Sequence, residues 1–212
     1  MSKPHIIAFF ADPMGTTYYS THAQLLKEKL TAWNFPFTIE DYNVKRGARP
    51  LWITNTRKKP GFILDTLQRL RSDVLYVDVD TNVVKPPDTR DFISSYDFAA
   101  PKFTGASLVS PSLLIRSTVM WFRYCEATLT LVSDWKARCE DHKGLHGDHR
   151  ILSNLLHEVS RDDINWGFLP DRYAHHREQP DSVMTMGLAK GVESRDIHMR
   201  KVRTQIKEGN IT

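Results

Sequence analysis

The sequence predicts an α/β domain with a mainly parallel central sheet flanked by helices. Three observations lead there. The first is a strand–helix–strand order at the N-terminus: His5 to Phe10, Thr16 to Trp33, then Phe37 to Tyr42. That order is the signature of a parallel βαβ unit. The second is Val74-Leu75-Tyr76-Val77, a short apolar and partly β-branched run. Such runs suit the interior of a sheet covered on both faces. The third is bulk. A chain of 212 residues can build one sizeable core. Length alone allows one domain or two small ones, but no repeat, low-complexity run or interior linker divides residues 1–212, so they read as a single domain.

Each element carries its own signal. In the first helix, apolar positions fall at Ala23, Leu25, Leu26, Leu30 and Trp33. Thr16 or Thr17 can cap it, and Asn34-Phe35-Pro36 ends it. The basic segment from Lys45 to Lys59, with Trp52 and Ile53 inside it, reads as loop. Pro60 to Leu70 reads as the second helix, because proline fits a first turn. After the Val74–Val77 strand, Asp88 to Ser95 reads as a short helix and Tyr96 to Ala100 as a short strand. A small-residue loop from Phe103 to Ser110 leads to a strand at Ser112 to Ile115. Val119 to Cys139 reads as one long amphipathic helix carrying Trp121, Phe122, Leu129, Val132 and Trp135. Asp148 to Val159 is a further helix, and Asn165 to Leu169 a last strand. From Arg172 onward periodicity is poor, and His175, His176 and His198 fall there.

Composition narrows the setting. No apolar run approaches the roughly 18 residues of a membrane span. The opening MSKPHIIAFFADP has a single Lys and no small-residue cleavage pattern, so it reads as a buried strand, not a signal peptide. Cys125 and Cys139 lack CxxC spacing and read as reduced thiols, which suits a cytoplasmic protein. The net charge of +4 is unevenly spread. Lys45, Arg46, Arg49, Arg57, Lys58 and Lys59 form an acid-free run, and the tail from Lys190 to Lys207 leans basic. A basic stripe attracts phosphates or nucleic acid, and a solvated basic loop is the plainer reading.

The chemistry concentrates in DVLYVDVDTNVVKPPD, residues Asp73 to Asp88. In extended backbone, residues i and i+2 face the same way, so Asp78 and Asp80 would present two carboxylates together. Such a pair repels itself unless a cation sits between, and oxygen ligands on a hard cation suit Mg²⁺ or Mn²⁺. Ligands of open α/β sheets lie outside the carboxyl ends of strands, where this pair would sit. The plainer reading is a helix cap or turn former.

Four segments in this order resemble the GT-A fold nucleotide-sugar glycosyltransferases, in the branch of the glycogenin-like and galactosyltransferase-like enzymes. They are IIAFFADPMGTTYY; KKPGFILDTLQRLRSDVLYVDVDTNVV with its Asp-x-Asp; FTGASLVSPSLLIRSTVMWFRYCEATL, with Arg-Ser-Thr at the turn where that family has an Asn-Thr type; and GDHRILSNLLHE, with His149 where Gln is usual. The resemblance spans most of residues 5 to 170 and implies a single Rossmann-like GT-A domain. It implies a UDP-sugar donor whose diphosphate is bridged to Mn²⁺ or Mg²⁺ by Asp78 and Asp80. It places Asp12, Thr16 and Tyr18 toward base and ribose, with Asp78 leaning toward the ribose as well. Lys59 is placed toward phosphate. Asp148 and His149 fall in the region that touches sugar and acceptor, and there Asp148 orients hydroxyls, acts as base, or is a plain cap. A late histidine, His198 or the competing His176, would be a third metal ligand. The branch suggests a hexosyltransferase that retains anomeric configuration. The acceptor stays open between saccharide, protein and DNA, the last being hydroxymethylated bases as some phage enzymes modify, reached through the 45–59 segment.

Two other readings are carried. Asp78-x-Asp80 is similar to the nucleophile and acid/base pair of haloacid-dehalogenase phosphatases, with Asp162-Asp163 as a late metal pair. Against it, the motif follows a complete βαβ unit and Asn82 stands where Thr or Val is usual. A non-catalytic nucleic-acid-binding module would use segment 45–59 with Trp52 for stacking, but leaves Asp78 and Asp80 unexplained.

Overall fold

The computed structural model describes residues 3–12, 17–42, 51–92, 96–103, 114–144, 146–175 and 179–185. Strand β1 (His5–Phe10) is buried from Ile6 to Phe9, as its β-branched and aromatic content suggests. It pairs in parallel with β2 (Phe37–Asp41) on one side and β3 (Val74–Val77) on the other. Strand β4 (Asn82–Val83) follows β3 in the chain. Next come β5 (Phe98–Pro101), β6 (Val119–Phe122) and β7 (Trp166–Leu169). The main sheet has the order β2-β1-β3-β6-β5-β7. Only β6 runs against its neighbours β3 and β5, so the sheet is mainly parallel, as expected. Strand β8 (Met184–Thr185) pairs with β4 in a separate two-stranded sheet.

Helix α1 (Tyr18–Ala32) buries Ala23, Leu26 and Leu30 along one stripe. It stops at Asn34, whose φ of 53° is left-handed, a conformation that asparagine tolerates. The Phe35 N–H reaches back to Leu30 O at 2.9 Å and the Asn34 N–H to Thr31 O at 3.0 Å, the paired bonds of a Schellman ending. Helices α2 (Leu51–Leu70), α3 (Glu126–Asp141) and α4 (Asp148–Glu158) cover the opposite face of the sheet.

Side-chain alternation sorts the core. Ile7 and Phe9 of β1, with Val74 and Tyr76 of β3, pack with Phe62, Leu67, Trp135 and Leu152 from α2, α3 and α4. Ile6, Ala8, Leu75 and Val77 point the other way, toward Leu26 and Leu30 of α1. Among the described residues no helix is long and apolar enough to cross a membrane. Cys125 and Cys139 are free thiols, and burial pushes the Cys139 thiol up to about 12, helped by the charge of Asp148.

Several expectations are corrected. Residues 119–122 are strand β6, the centre of the sheet, and not the start of a helix; α3 begins only at Glu126. An apolar run of four does not distinguish a buried strand from a buried helix, and the β-branched and aromatic content of Val-Met-Trp-Phe decides for the strand. Helix α2 begins at Leu51, so Trp52, Ile53 and Arg57 to Lys59 are helical and Pro60 lies inside the helix. Residues 43–50 lie outside the described residues, as do 104–113, which take in most of the expected loop and part of the strand at 112–115. Ile115 forms an isolated bridge with Lys102, not a strand. Of the helix expected over 88–95, the described residues form a 3-10 turn, Thr89–Asp91, and residues 93–95 lie outside them.

Pro60 removes one helical hydrogen bond, at a cost of about 3 kcal/mol in an ordinary helix interior. Burial of Phe62, Ile63 and Leu67 beyond it holds α2 continuous. Pro60→Ala restores the N–H without changing helical backbone. Urea unfolding is expected to show the variant more stable by about 1 kcal/mol or more. A loss of stability would mean that packing of the proline ring dominates.

Candidate functional site

Alternation along β3 carries the site. Val74 and Tyr76 face α2, α3 and α4, and Asp78 continues that face just beyond the strand's carboxyl end. Its backbone is fixed by an N–H bond to Thr118 O of 2.7 Å, at the entry of β6. The chain then turns. The Thr81 N–H returns to Asp78 O at 2.9 Å, so Asp80 sits in a tight turn and not on extended strand. The charge of Asp80 reaches the Asp78 carboxyl across this turn and not along an extended strand, which corrects the extended-backbone argument. Asp80 remains partly exposed.

Lys59 of α2 is 3 % exposed and points into the protein beneath this turn. Its ammonium lies 3.0 Å from Asp78 Oδ1 and 2.9 Å from Asp148 Oδ2. It also donates to Ser117 O at 2.9 Å and to Ser117 Oγ at 3.2 Å. The Ser117 hydroxyl donates to Asp148 Oδ2 at 2.7 Å. Tyr76 donates its hydroxyl to Asp78 Oδ1 at 2.7 Å, and its ring lies 5.1 Å from the Lys59 ammonium. Asp148, 2 % exposed, is the first residue of α4, whose N-cap is Gly147, and its carboxylate turns to Lys59 and Ser117. Trp135 Nε1 donates to the Asp148 carbonyl at 3.1 Å and pins that helix start to α3.

Electrostatics follow from this packing. Burial alone would lower the Lys59 ammonium pKa, but the charges of Asp148 and Asp78 raise it above the ordinary lysine value. Burial works to raise Asp148, yet Lys59, His149 and the Ser117 hydroxyl hold it well below the usual carboxylate range. Asp78 goes the other way. Burial pushes it up to about 6 against the pull of Lys59, and the charges of Asp80 and Asp148 add to the rise. Two carboxylates thus share one ammonium, with the charge of Asp80 acting on Asp78 as well, and Asp78 is the one left under-compensated.

Arg57, two residues before Lys59, secures the loop that leads into α4. Nη1 donates to His142 O at 2.6 Å, Nη2 to His146 O at 3.1 Å and to Gly144 O, and Nε to His146 O at 3.3 Å. Arg57 is therefore buried in structural bonds, not spread over a basic rim.

The expected site residues fare differently. Asp78, Lys59 and Asp148 are brought together, with Asp80 beside them. Lys59, expected toward phosphate, has its N–H groups committed to oxygens inside the protein. Asp148, held strongly acidic and buried, is a weak base. His149 is half-exposed, with Nδ1 3.9 Å from Asp148 Oδ1. Asp12 accepts from the backbone N–H groups of Tyr19 at 2.7 Å and Ser20 at 3.2 Å, and so caps α1. The Tyr18 ring packs against His22 and Tyr19. Thr16, His176 and His198 lie outside the described residues. Among the described residues, no group of three or more His, Cys, Asp or Glu side chains is placed to hold a metal. Tyr76 and Ser117 were not singled out from sequence. Tyr76 had a readable signal, since it stands two residues before Asp78 on one strand; Ser117 had none beyond its place in the Arg-Ser-Thr turn.

No protein-family model matches the chain, and no curated protein matches it by sequence. Solved structures do match in fold. A glycosyltransferase involved in the glycosylation of the major capsid of PBCV-1 superposes with a TM-score of 0.66 at 12% identity, over 94% of this chain and 99% of that one. The apo-form glycosyltransferase GlyE of Streptococcus pneumoniae gives 0.58 at 15% identity, over 89% of this chain and 55% of that one. This chain therefore spans about half the length of GlyE. The fold is the GT-A-like α/β fold.

Two predictions follow from the cluster. Lys59→Met leaves Asp148 buried without its cation, and urea unfolding is expected to show a loss of about 3–5 kcal/mol; a loss below 1 kcal/mol would show that the ion pair is not what the geometry implies. The second concerns pH. An unfolded Asp releases its proton near pH 3.9, about two units below folded Asp78 at about 6. Between those values the folded state binds more protons, so the Asp78 contribution to stability falls as pH rises from about 4 to 6. Asp148, depressed in the fold, contributes stability that is present above about pH 4 and lost on acidification. In EDTA, Asp78→Asn is expected to flatten the pH 4–6 decline and to be at least as stable as wild type at pH 7. An Asp78→Asn protein less stable than wild type at pH 7 would contradict the sign of the shift.

Proposed function

We propose that this protein is a glycosyltransferase that moves a sugar from a nucleotide-diphosphate donor, a UDP-sugar by resemblance, to an acceptor hydroxyl. The observation that carries the reading is the Asp78–Asp80 turn at the carboxyl end of β3. It carries two carboxylates that feel each other's charge, one pushed up to about 6 by burial, and the Lys59 ammonium against Asp78 is already shared with Asp148. This donor set fits a hard divalent cation such as Mn²⁺ or Mg²⁺, which takes one or two carboxylates and completes its shell with water and phosphate oxygens. Asp78 and Asp80 would hold the ion, and it would supply charge neutralisation for the departing diphosphate. The GT-A-like fold supports the same reading, and that likeness does not favour a phosphatase or a non-catalytic nucleic-acid module.

In the transfer, the bond from the anomeric carbon to the diphosphate oxygen breaks. The acceptor oxygen bonds to that carbon, and the acceptor proton passes to the departing diphosphate oxygen. An inverting displacement relies on a base for that proton, and Asp148 is poorly suited to be one, which supports retention. Its proposed role is to position. With Lys59 and Ser117 it sets the start of α4 so that half-exposed His149 faces the sugar and acceptor region. Two cations of the 45–59 run, Arg57 and Lys59, are bonded inside the protein. That favours a saccharide or protein hydroxyl over DNA as acceptor.

The test is a panel of nucleotide-sugars assayed for release of nucleoside diphosphate with Mn²⁺. One donor is expected to turn over, EDTA to abolish the signal, and Asp80→Asn to reduce kcat/KM by about 100-fold or more. Turnover that persists unchanged in EDTA, or release of phosphate from simple phosphomonoesters, would overturn the reading.

A further inference from the structure

We infer that Tyr76 is a positioning residue for Asp78: its hydroxyl, with the Lys59 ammonium, occupies Oδ1 and leaves Oδ2 as the one oxygen offered to a cation. This deepens the proposed function and rests on Asp78 and Asp80 as cation ligands. Oδ1 accepts from Tyr76 at 2.7 Å and from Lys59 at 3.0 Å. Among the described residues, Oδ2 accepts no hydrogen bond. The phenol itself is held still. Tyr76 is 1 % exposed, and its ring packs against Phe9 and Phe62 at centroid distances of 6.3 and 6.5 Å. A buried tyrosine hydroxyl needs a partner, and Asp78 is the partner this packing provides.

The consequence is geometric. A free aspartate rotates about its side-chain torsions and can grip an ion through either oxygen or both. With Oδ1 tied at two points and the Asp78 backbone tied to Thr118 O at 2.7 Å, the carboxylate has one orientation. It offers a single oxygen toward the turn that carries Asp80. Groups that orient a metal-binding carboxylate in this way set ion affinity without touching the ion.

Tyr76→Phe keeps the ring and deletes the hydroxyl. Mn²⁺ binding to the full chain, without nucleotide, can be followed by the loss of the free-ion electron paramagnetic resonance signal. Wild type is expected to bind Mn²⁺ and Asp80→Asn to lose most of that binding. Tyr76→Phe is expected to weaken the affinity by about 10-fold. In an Asp78→Asn background, Tyr76→Phe is expected to add no further loss. Wild-type binding that Tyr76→Phe leaves within twofold overturns the inference alone. An equal loss in the Asp78→Asn background also overturns it, because the hydroxyl would then act through another group. A Tyr76→Phe chain that fails to fold assigns the hydroxyl to stability and overturns it as well. Absence of Mn²⁺ binding by wild type, or binding indifferent to Asp80→Asn, removes the cation reading itself.

Discussion

The ammonium of Lys59 sits inside the protein, 3.0 Å from Asp78 and 2.9 Å from Asp148. Burying a charge is costly unless it is paired and its hydrogen bonds are met, and here both conditions hold. The requirement reaches far along the chain. Helix α2 must bring Lys59 to the carboxyl edge, β3 must end there with Asp78, and α4 must begin there with Asp148. Ser117, at the entry to β6, closes the ring by bonding both Lys59 and Asp148. Four separate segments thus meet at one ion, beside the turn that carries Asp80.

Much of this was legible in the residues. The apolar run before Asp78, the βαβ opening and the Asp148 helix start are local signals, and local signals survive folding when packing agrees with them. What failed was non-local. Residues 119–122 carry strand-forming side chains, but a run of four fits a helix as well, and it is the pairing with the edges of β3 and β5 that fixes them as a strand. Helix α2 runs through Pro60 because its far half buries Phe62, Ile63 and Leu67, a tertiary gain that outweighs a local break.

The basic run shows how charge counts mislead. From sequence, Arg57, Lys58 and Lys59 are three like charges on a rim. In the fold, one guanidinium is spent on carbonyl oxygens of residues 142–146 and one ammonium on two aspartates. A charge satisfied at contact distance contributes little field to solvent, so the electrostatic attraction expected of the segment shrinks. Lys58, over the Tyr42 ring at 5.6 Å, is the one of the three set at the outer side.

Strand order also sets a schedule for synthesis. β3 pairs on one side with β1, which precedes it, and on the other with β6, which lies well downstream. While a ribosome extends the chain at roughly 5–20 residues per second, the hydrophobic edge of Val74 to Val77 waits several seconds for its partner. Over that interval the nascent β2-β1-β3 unit presents an unpaired, apolar edge, the kind that recruits other strands. Expression yield of this chain should therefore respond to translation speed between β3 and β6, and to chaperones that shield strand edges, more than to the final stability of the folded protein.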